Sequence, residues 1–106
     1  LLTMYDAEGK LTKKFTTGLH DICGLAYSPK TGKLYAVDFA WADTTQGGLF
    51  ELTIEGDACK ATKILPFDRP TSLAFDKEGG LYVTVFGTGK DTGDKPKGGV
   101  MRVEPG

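Results

Sequence analysis

Short apolar runs alternate with polar or small residues along this chain, and turn-forming residues separate them. Runs of this length that are bounded by glycine and proline predict β-strands joined by tight turns. Fifteen of the 106 residues are glycine, which is about twice the average share. The pattern therefore predicts an all-β chain, and its length fits one ordinary domain.

One strand–turn–strand stretch occurs twice. Leu25–Phe39 reads LAYSPKTGKLYAVDF, and Leu73–Phe86 reads LAFDKEGGLYVTVF. The copies are offset by 48 residues before the turn and by 47 after it, and GGLFEL and GGVMRV follow at an offset of 51. A period of about 40–50 residues is typical of the four-stranded blades of β-propellers.

The repeat divides the chain into three parts. Residues 17–67 form a complete unit, with strands predicted at Gly24–Tyr27, Lys33–Phe39, Leu49–Ile54 and Ala58–Leu65. Residues 68–106 repeat the first three strands, at Ser72–Phe75, Leu81–Phe86 and Val100–Val103. Residues 1–16 hold a third-type and a fourth-type strand, at Leu1–Tyr5 and Lys10–Phe15. The prediction is thus about two and a quarter propeller blades, each a four-stranded antiparallel sheet.

This strand order predicts partners. Propellers close with about four to eight blades, so two and a quarter cannot close a ring. A blade buries both faces against its neighbours, and the end faces would otherwise expose large apolar surfaces. We therefore expect other blades to complete the structure, from a homo-oligomer, a complementary chain or a longer parent. Because the chain starts at Leu1 without a methionine, we also expect a fragment or an engineered repeat protein.

Charge and composition exclude some classes of binding partner. The net charge is −1 and the isoelectric point is about 5.8, so no basic field is present to attract nucleic acid or acidic membranes. No apolar run approaches the roughly 20 residues of a membrane helix, and no signal pattern is present. Cys23 and Cys59 are predicted to lie three strands apart, about 14 Å, which is too far for a disulfide. We expect two buried free thiols.

The sequences GLAYSPKTGKLYAVD and SLAFDKEGGLYVTV resemble the core motif of NHL-type propellers, G-(L/I)-A-x-(D/S)-x-x-G-x-(L/V)-Y-V-x-D. They are also similar to the wider six-bladed group of SMP-30/gluconolactonase-like and streptogramin-lyase-like proteins, and loosely to the extracellular propellers of scytonemin gene clusters. The resemblance covers residues 17–106. It implies a propeller, and a secreted or periplasmic location if the chain is like the family.

The resemblance also places ligands at the channel mouth, where four-to-one and two-to-three loops emerge. In this chain those loops are predicted at Thr17–Ile22, Phe67–Pro70, Ala40–Gly48 and Gly87–Gly99. They and the adjacent strand end supply the candidate ligand-binding residues His20, Asp21, Asp38, Trp41, Asp43 and Arg69.

Each candidate has two interpretations. Asp38 is either a metal or substrate ligand or a carboxylate that accepts backbone N–H groups of the following loop. His20 and Asp21 point apart on an extended chain, which disfavours a catalytic pair. Trp41 can stack a sugar ring, anchor a partner or cover the edge of the blade. Arg69 can bind an anion or pair with Asp68.

Metal binding is a weaker prediction. Asp91 and Asp94 lie in a glycine-rich stretch, but the spacing of a calcium loop is missing. Lactonases of the resembling group hold a divalent metal with Glu, Asn and Asp, whereas this chain contains no asparagine and has Val85 in place of the second copy's aspartate. The preferred hypothesis is a non-catalytic propeller segment without a cofactor. The alternative is part of a metal-dependent hydrolase or lyase of the SMP-30-like kind, with Asp38, and His20 or Asp21 as further candidates, at the channel mouth. Asp38, Asp91 and Asp94 are weak candidates for ligands of Ca²⁺ or another divalent metal.

Overall fold

The computed structural model describes residues 1–87 and 98–104. Nine strands follow one another in these residues: β1 Leu2–Tyr5, β2 Leu11–Phe15, β3 Ile22–Tyr27, β4 Leu34–Asp38, β5 Gly48–Glu55, β6 Ala58–Leu65, β7 Pro70–Phe75, β8 Leu81–Val85 and β9 Gly99–Val103. The only helical segment among the described residues is a 3₁₀ turn at Thr44–Gln46. The prediction of an all-β chain is confirmed, and the strands agree with it to within one or two residues.

The strands form three antiparallel sheets. The first sheet contains β1 and β2, the second contains β3, β4, β5 and β6 in that order, and the third contains β7, β8 and β9. Each strand pairs with its neighbour in sequence, as short turns between antiparallel strands require. The arrangement is compatible with the predicted blade-like sheets.

The two hairpins of the repeat close with different turns, six residues long at 28–33 and five residues long at 76–80. In the first, Gly32 has a φ of +74° and donates its N–H to the Ser28 carbonyl. In the second, the Asp76 carboxylate accepts the N–H groups of Glu78 and Gly80. A glycine accepts positive φ without a steric penalty, and an aspartate stabilises a turn by binding nearby backbone N–H groups. These turns set the register that places equivalent side chains of both copies on equivalent faces.

Two apolar clusters hold the sheets in a stack. The cluster between the second and third sheets contains the buried residues Val37, Leu49, Leu73, Leu81 and Val83. The cluster on the opposite face of the second sheet contains Leu34, Ala36, Phe50 and Leu52, with Leu2 of the first sheet packed against it. The radius of gyration, 14.6 Å, exceeds the roughly 13 Å expected for a compact domain of this length. The molecule is therefore an elongated stack of three layers.

The two cysteines are free, as predicted. The prediction that both are buried was wrong, because Cys23 is exposed and Cys59 is half-buried. Cys23 lies where the pairing of β3 with β4 shifts register between Ile22 and Gly24. Strand irregularities of this kind re-aim a side chain, and here the Cys23 thiol donates to the carbonyl of Asp21.

Candidate functional site

Three loops meet at one end of the stack, and they bring the sequence-predicted residues together. His20 and Asp21 lie in the loop between β2 and β3, Trp41 and Asp43 between β4 and β5, and Arg69 between β6 and β7. Asp38 is the last residue of β4. Asp91 and Asp94 lie outside the described residues. The role of these residues in binding a ligand stays a prediction, but their positions relative to one another are defined.

The Asp38 carboxylate ties two of the loops together. It is fully buried, and its Oδ1 atom accepts the N–H groups of Asp21 at 2.8 Å and Ala40 at 3.0 Å. Its Oδ2 atom accepts the N–H group of His20 at 2.9 Å. A buried carboxylate needs such donors to offset the loss of hydration. Asp38 therefore determines the positions of both neighbouring loops, and the donors include the following loop that the sequence indicated.

The backbone of Ala40 is strained, and a hydrogen bond to Asp38 helps to hold it in that conformation. It has a φ of +49°, and non-glycine residues pay a free-energy cost to adopt this left-handed conformation. Its N–H donates to the Asp38 carboxylate, and the residue is buried. The conformation turns the chain immediately before Trp41, so the strained alanine directs the aromatic side chain outward.

Asp21 supports the same tryptophan from the other loop. Its Oδ2 atom accepts the Trp41 N–H at 2.8 Å, and its backbone carbonyl accepts the Phe39 N–H at 2.9 Å. His20 contributes its backbone N–H to Asp38, whereas its side chain lines a cavity. The described hydrogen bonds therefore give His20 and Asp21 positioning roles through the backbone and the Asp21 carboxylate.

An aromatic and cationic stack crosses from the second sheet to the third. The Phe39 and Trp41 rings are stacked with centroids 6.5 Å apart, and Phe39 also contacts the Phe86 ring at 6.4 Å. The Arg69 guanidinium carbon lies 4.7 Å from the Trp41 centroid and 5.8 Å from the Phe39 centroid. Guanidinium groups at these distances are attracted to the negative faces of aromatic rings.

The anion site and the ion pair that the sequence suggested for Arg69 stay predictions, and the structure adds contacts of its guanidinium group with these two rings. The Arg69 Nε atom is buried and has no hydrogen-bond partner in the described part of the chain. Arg69 also has a φ of +55°, and its carbonyl accepts the Phe86 N–H at 2.8 Å. Trp41 remains 66% exposed, so the stack supports the ring from beneath and leaves its outer face open.

A cavity of about 450 Å³ adjoins the exposed tryptophan. It is lined by His20, Asp21, Ala40, Trp41, Ala42, Asp43 and Gln46. Asp43 caps the 3₁₀ turn, because its Oδ1 atom accepts the N–H and the hydroxyl of Thr45. The walls therefore combine one aromatic ring, one imidazole and two carboxylates, which suits a ligand with an apolar face and hydrogen-bond donors.

A second cavity, of about 400 Å³, lies between the second and third sheets at the opposite end. Its wall includes Lys33 and Glu51, whose Nζ and Oε1 atoms are 3.1 Å apart. The hydrogen bond to Glu51 raises the pKa of Lys33. The Lys33 side chain is exposed, whereas the Glu51 side chain is half-buried. None of the sequence-predicted residues lies there.

Sequence reasoning missed Phe86 and the strained Ala40. Phe86 was detectable, because it occupies the position of Phe39 in the second copy of the repeat. No sequence signal marks Ala40, since alanine carries no preference for positive φ.

Within residues 1–87 and 98–104, no group of three or more histidine, cysteine, aspartate or glutamate side chains is arranged to hold a metal ion. The same residues contain no helix that is long and apolar enough to cross a membrane. No family model matches the chain, and neither does any curated protein or solved structure.

Proposed function

We propose that this chain is a non-catalytic segment of a β-propeller of the NHL or SMP-30/gluconolactonase-like group, which assembles with further blades and presents a binding face. The observation that carries the proposal is the equivalence of successive layers. Leu81 and Val83 of the third sheet pack toward the second sheet, and the second sheet turns the same repeat positions, Leu34 and Ala36, toward the first. When every layer repeats the same interface, the end layers leave an interface face exposed until the stack closes into a ring.

Exposed apolar side chains on β3 and on the edge strand β9 support assembly. Leu25 and Tyr27 are 47% and 63% exposed beside the first sheet, and Val100 and Met101 are 66% and 46% exposed on β9. Soluble monomers seldom leave apolar side chains clustered in this way on strand surfaces. Burial of these residues against further blades would remove that cost.

The binding face is the loop end that carries Trp41. The Trp41 ring contacts Arg69 and its backbone N–H is bound by the Asp21 carboxylate, so the residue is positioned before a ligand arrives, which lowers the entropy cost of binding. The buried Asp38 has its oxygen atoms directed at backbone N–H groups. This arrangement favours a positioning role for Asp38 over a catalytic one.

Light scattering during size-exclusion chromatography tests the assembly. We expect a mass that is a multiple of 11.4 kDa, or a mass that includes a complementary chain. Val100→Asp should reduce the assembly without unfolding the sheets, because the side chain is 66% exposed. Lys14→Asp is the matched control on an exposed strand away from those apolar residues. A stable, folded monomer of the unaltered chain contradicts the proposal.

Calorimetric titration of the assembled protein with Ca²⁺ and with Zn²⁺ tests the metal-dependent hydrolase or lyase. The non-catalytic proposal predicts no binding heat and no thermal shift from either ion. Binding heat that disappears in Asp21→Asn would favour the metal-dependent alternative and place the ion at the loop end.

A further inference from the structure

Two apolar side chains of β3, an edge strand of the second sheet, are exposed on a face whose residues on β4 and β5 are buried. Leu25 and Tyr27 are 47% and 63% exposed, whereas Leu34 and Ala36, which pair with them on the adjacent strand β4, are 6% and 0% exposed. All four belong to the face of the second sheet that packs toward β1 and β2. Part of this face is therefore covered and part is not.

The covered part of the face lies on β4 and β5. Leu2 of β1 packs against the buried cluster of Leu34, Ala36, Phe50 and Leu52 on these two strands, and the Lys13 ammonium of β2 donates to the carbonyl of Gly56 in the turn that follows β5. A two-stranded sheet spans only about 10 Å across its strands. Because β1 and β2 make these contacts with β4, β5 and the turn after β5, Leu25 and Tyr27 of the inner strand β3 stay exposed.

The second copy of the repeat shows what covers the equivalent residues. Leu73 and Phe75 stand at the positions of Leu25 and Tyr27, yet Leu73 is only 9% exposed and Phe75 is half-buried. They are covered by one face of the β3–β4 hairpin, which comprises Gly24, Ala26, Tyr35 and Val37.

That contact is close and specific. A Cβ atom added at Gly24 would lie 2.6 Å from the Leu73 Cδ2 atom, so the backbone itself packs against leucine. The Tyr35 and Phe75 rings are 5.6 Å apart and tilted by 55°, a geometry that aromatic pairs prefer. Leu73 and Phe75 are therefore covered by small residues on one strand and by an aromatic and a β-branched residue on the next.

The edge beside the uncovered surface is open to pairing. Among the strands of residues 1–87 and 98–104, β1 pairs with β2 alone, and its sequence, LTMY, contains neither a charged residue nor a proline. Exposed edges that avoid pairing usually carry such residues, as β2 does with Lys13 and Lys14.

From these observations we infer that Leu25, Tyr27 and the free edge of β1 form the docking site for one further β-hairpin of the β3–β4 type. Its outer strand pairs with β1 and completes a four-stranded first sheet. Its inward face carries small residues on one strand and an aromatic with a β-branched residue on the other. The inference rests on the proposed function for the source of the hairpin and names the element, the site and the recognising chemistry.

Another complete molecule of this chain cannot supply the hairpin that fits this docking site. Its β7–β8 hairpin has suitable outward residues, Ser72, Ala74, Tyr82 and Thr84, all of which are exposed. However, β8 already pairs with β9 along the edge that β1 would need. In that other molecule β9 would have to dissociate from β8 first, so the site selects a hairpin whose outer strand is unpaired.

The test adds the missing hairpin to the full chain. A second copy of residues 17–47 is fused in front of Leu1, because this length reproduces the two inner strands and the connection to a third-type strand. Hydrogen exchange followed by mass spectrometry is compared at β1 and β3 with and without the extension. We expect amide exchange in β1 to slow by about tenfold or more, because β1 gains a partner on its open edge.

The control carries Tyr35→Asp and Val37→Asp in the added copy only. These changes place charges on the face that would meet Leu25 and Tyr27, so the protection of β1 should be lost. Leu25→Asp in the original copy should abolish the protection as well, while the unextended protein should tolerate it because Leu25 is exposed there.

Equal exchange of β1 with and without the extension overturns the inference, as does protection that survives the double-aspartate control. These outcomes are separate from the assembly test. Docking of the hairpin on a chain that is otherwise monomeric would support the inference and contradict the proposed assembly. If the unaltered protein assembles but the extension does not slow amide exchange in β1, the proposed assembly is supported and the inference is contradicted.

Discussion

The two inner hairpins, β3–β4 and β7–β8, have closely similar sequences and different surroundings. Leu25 and Leu73 occupy the same repeat position, but the first is 47% exposed and the second is 9% exposed. The strand pattern is the same in both copies, so local sequence does not cause the difference. The cause is the neighbouring layer, because a four-stranded sheet covers Leu73 and a two-stranded sheet leaves Leu25 open. Burial in this fold is thus a property of adjacent layers.

The loop ends of the two hairpins differ in a second way. Asp38 ends β4 and binds three backbone N–H groups, whereas Val85 stands at its position in β8. In the first copy the following chain passes through the strained Ala40 with a φ of +49°, and in the second it passes through Gly87 with a φ of +78°. Glycine adopts this conformation without the cost that alanine pays. A buried carboxylate in one copy and a glycine in the other therefore support the same backbone turn.

The largest expected effect compares the equivalent leucines. Leu73→Ala should lower the free energy of unfolding by about 3 kcal/mol, because it leaves a cavity between two sheets. Leu25→Ala should cost less than about 1 kcal/mol, since that side chain is already half in solvent. Urea denaturation monitored by circular dichroism measures both changes. Equal losses would show that Leu25 is buried in solution, either by the same chain or by a partner.

The next effect concerns the carboxylate. Asp38→Asn should destabilise the chain by about 2 kcal/mol, because an amide group replaces one acceptor oxygen with a donor that faces backbone N–H groups. Asp57→Asn is the matched control, and its side chain is 99% exposed. We expect the control to change stability by less than about 0.5 kcal/mol. Trp41 fluorescence should change with Asp38→Asn as well, and an unaltered spectrum would contradict the link between Asp38 and the loop.

A smaller effect is expected when the residues with positive φ after β4 and β8, Ala40 and Gly87, are each replaced by the residue type of the other. Ala40→Gly should relieve strain and Gly87→Ala should introduce it, each by about 1 kcal/mol and with opposite signs. Thermal unfolding of the two single variants measures the shifts in melting temperature. Two shifts of the same sign would indicate that space or packing, and not φ, determines the residue at these positions.

The smallest effect is the pH dependence of the thiols. Burial is the main cause that raises the pKa of Cys23, and burial also raises the pKa of Cys59. A raised pKa in the folded state favours the neutral thiol, so this contribution to stability is present below the unfolded pKa and is lost as the pH rises through the folded pKa. Alkylation by iodoacetamide should therefore reach half its maximal rate at a higher pH in the folded protein than in urea.

Cys23→Ser and Cys59→Ser separate the two alkylation profiles. Cys23 should react faster than Cys59 because it is the more exposed of the two. A folded-state midpoint at or below the midpoint in urea would contradict the effect of burial.

Most of the fold was predictable because the information is local. Ala58–Leu65 was predicted with the observed bounds, and the turn at Gly32 follows from the residue's own preference. Pairing between neighbouring strands then follows from short connections. The positions of His20, Asp21 and Trp41 near one another also followed from the order of the loops.

The remaining features depend on contacts between distant residues. The contact of Arg69 with Phe39 and Trp41 joins two layers, and it depends on loop geometry that no local pattern encodes. The exposure of Cys23 depends on a register shift in the middle of a strand pair. Both features were open or wrong from the sequence for this reason.

Trp41 is the only tryptophan in the chain, and it sits over a guanidinium group at the junction of three loops. Its emission consequently serves as a built-in optical gauge of that junction. Any event that pulls Arg69 away, brings water to the indole or presses a guest molecule against it will change the colour or brightness of the protein without an added label.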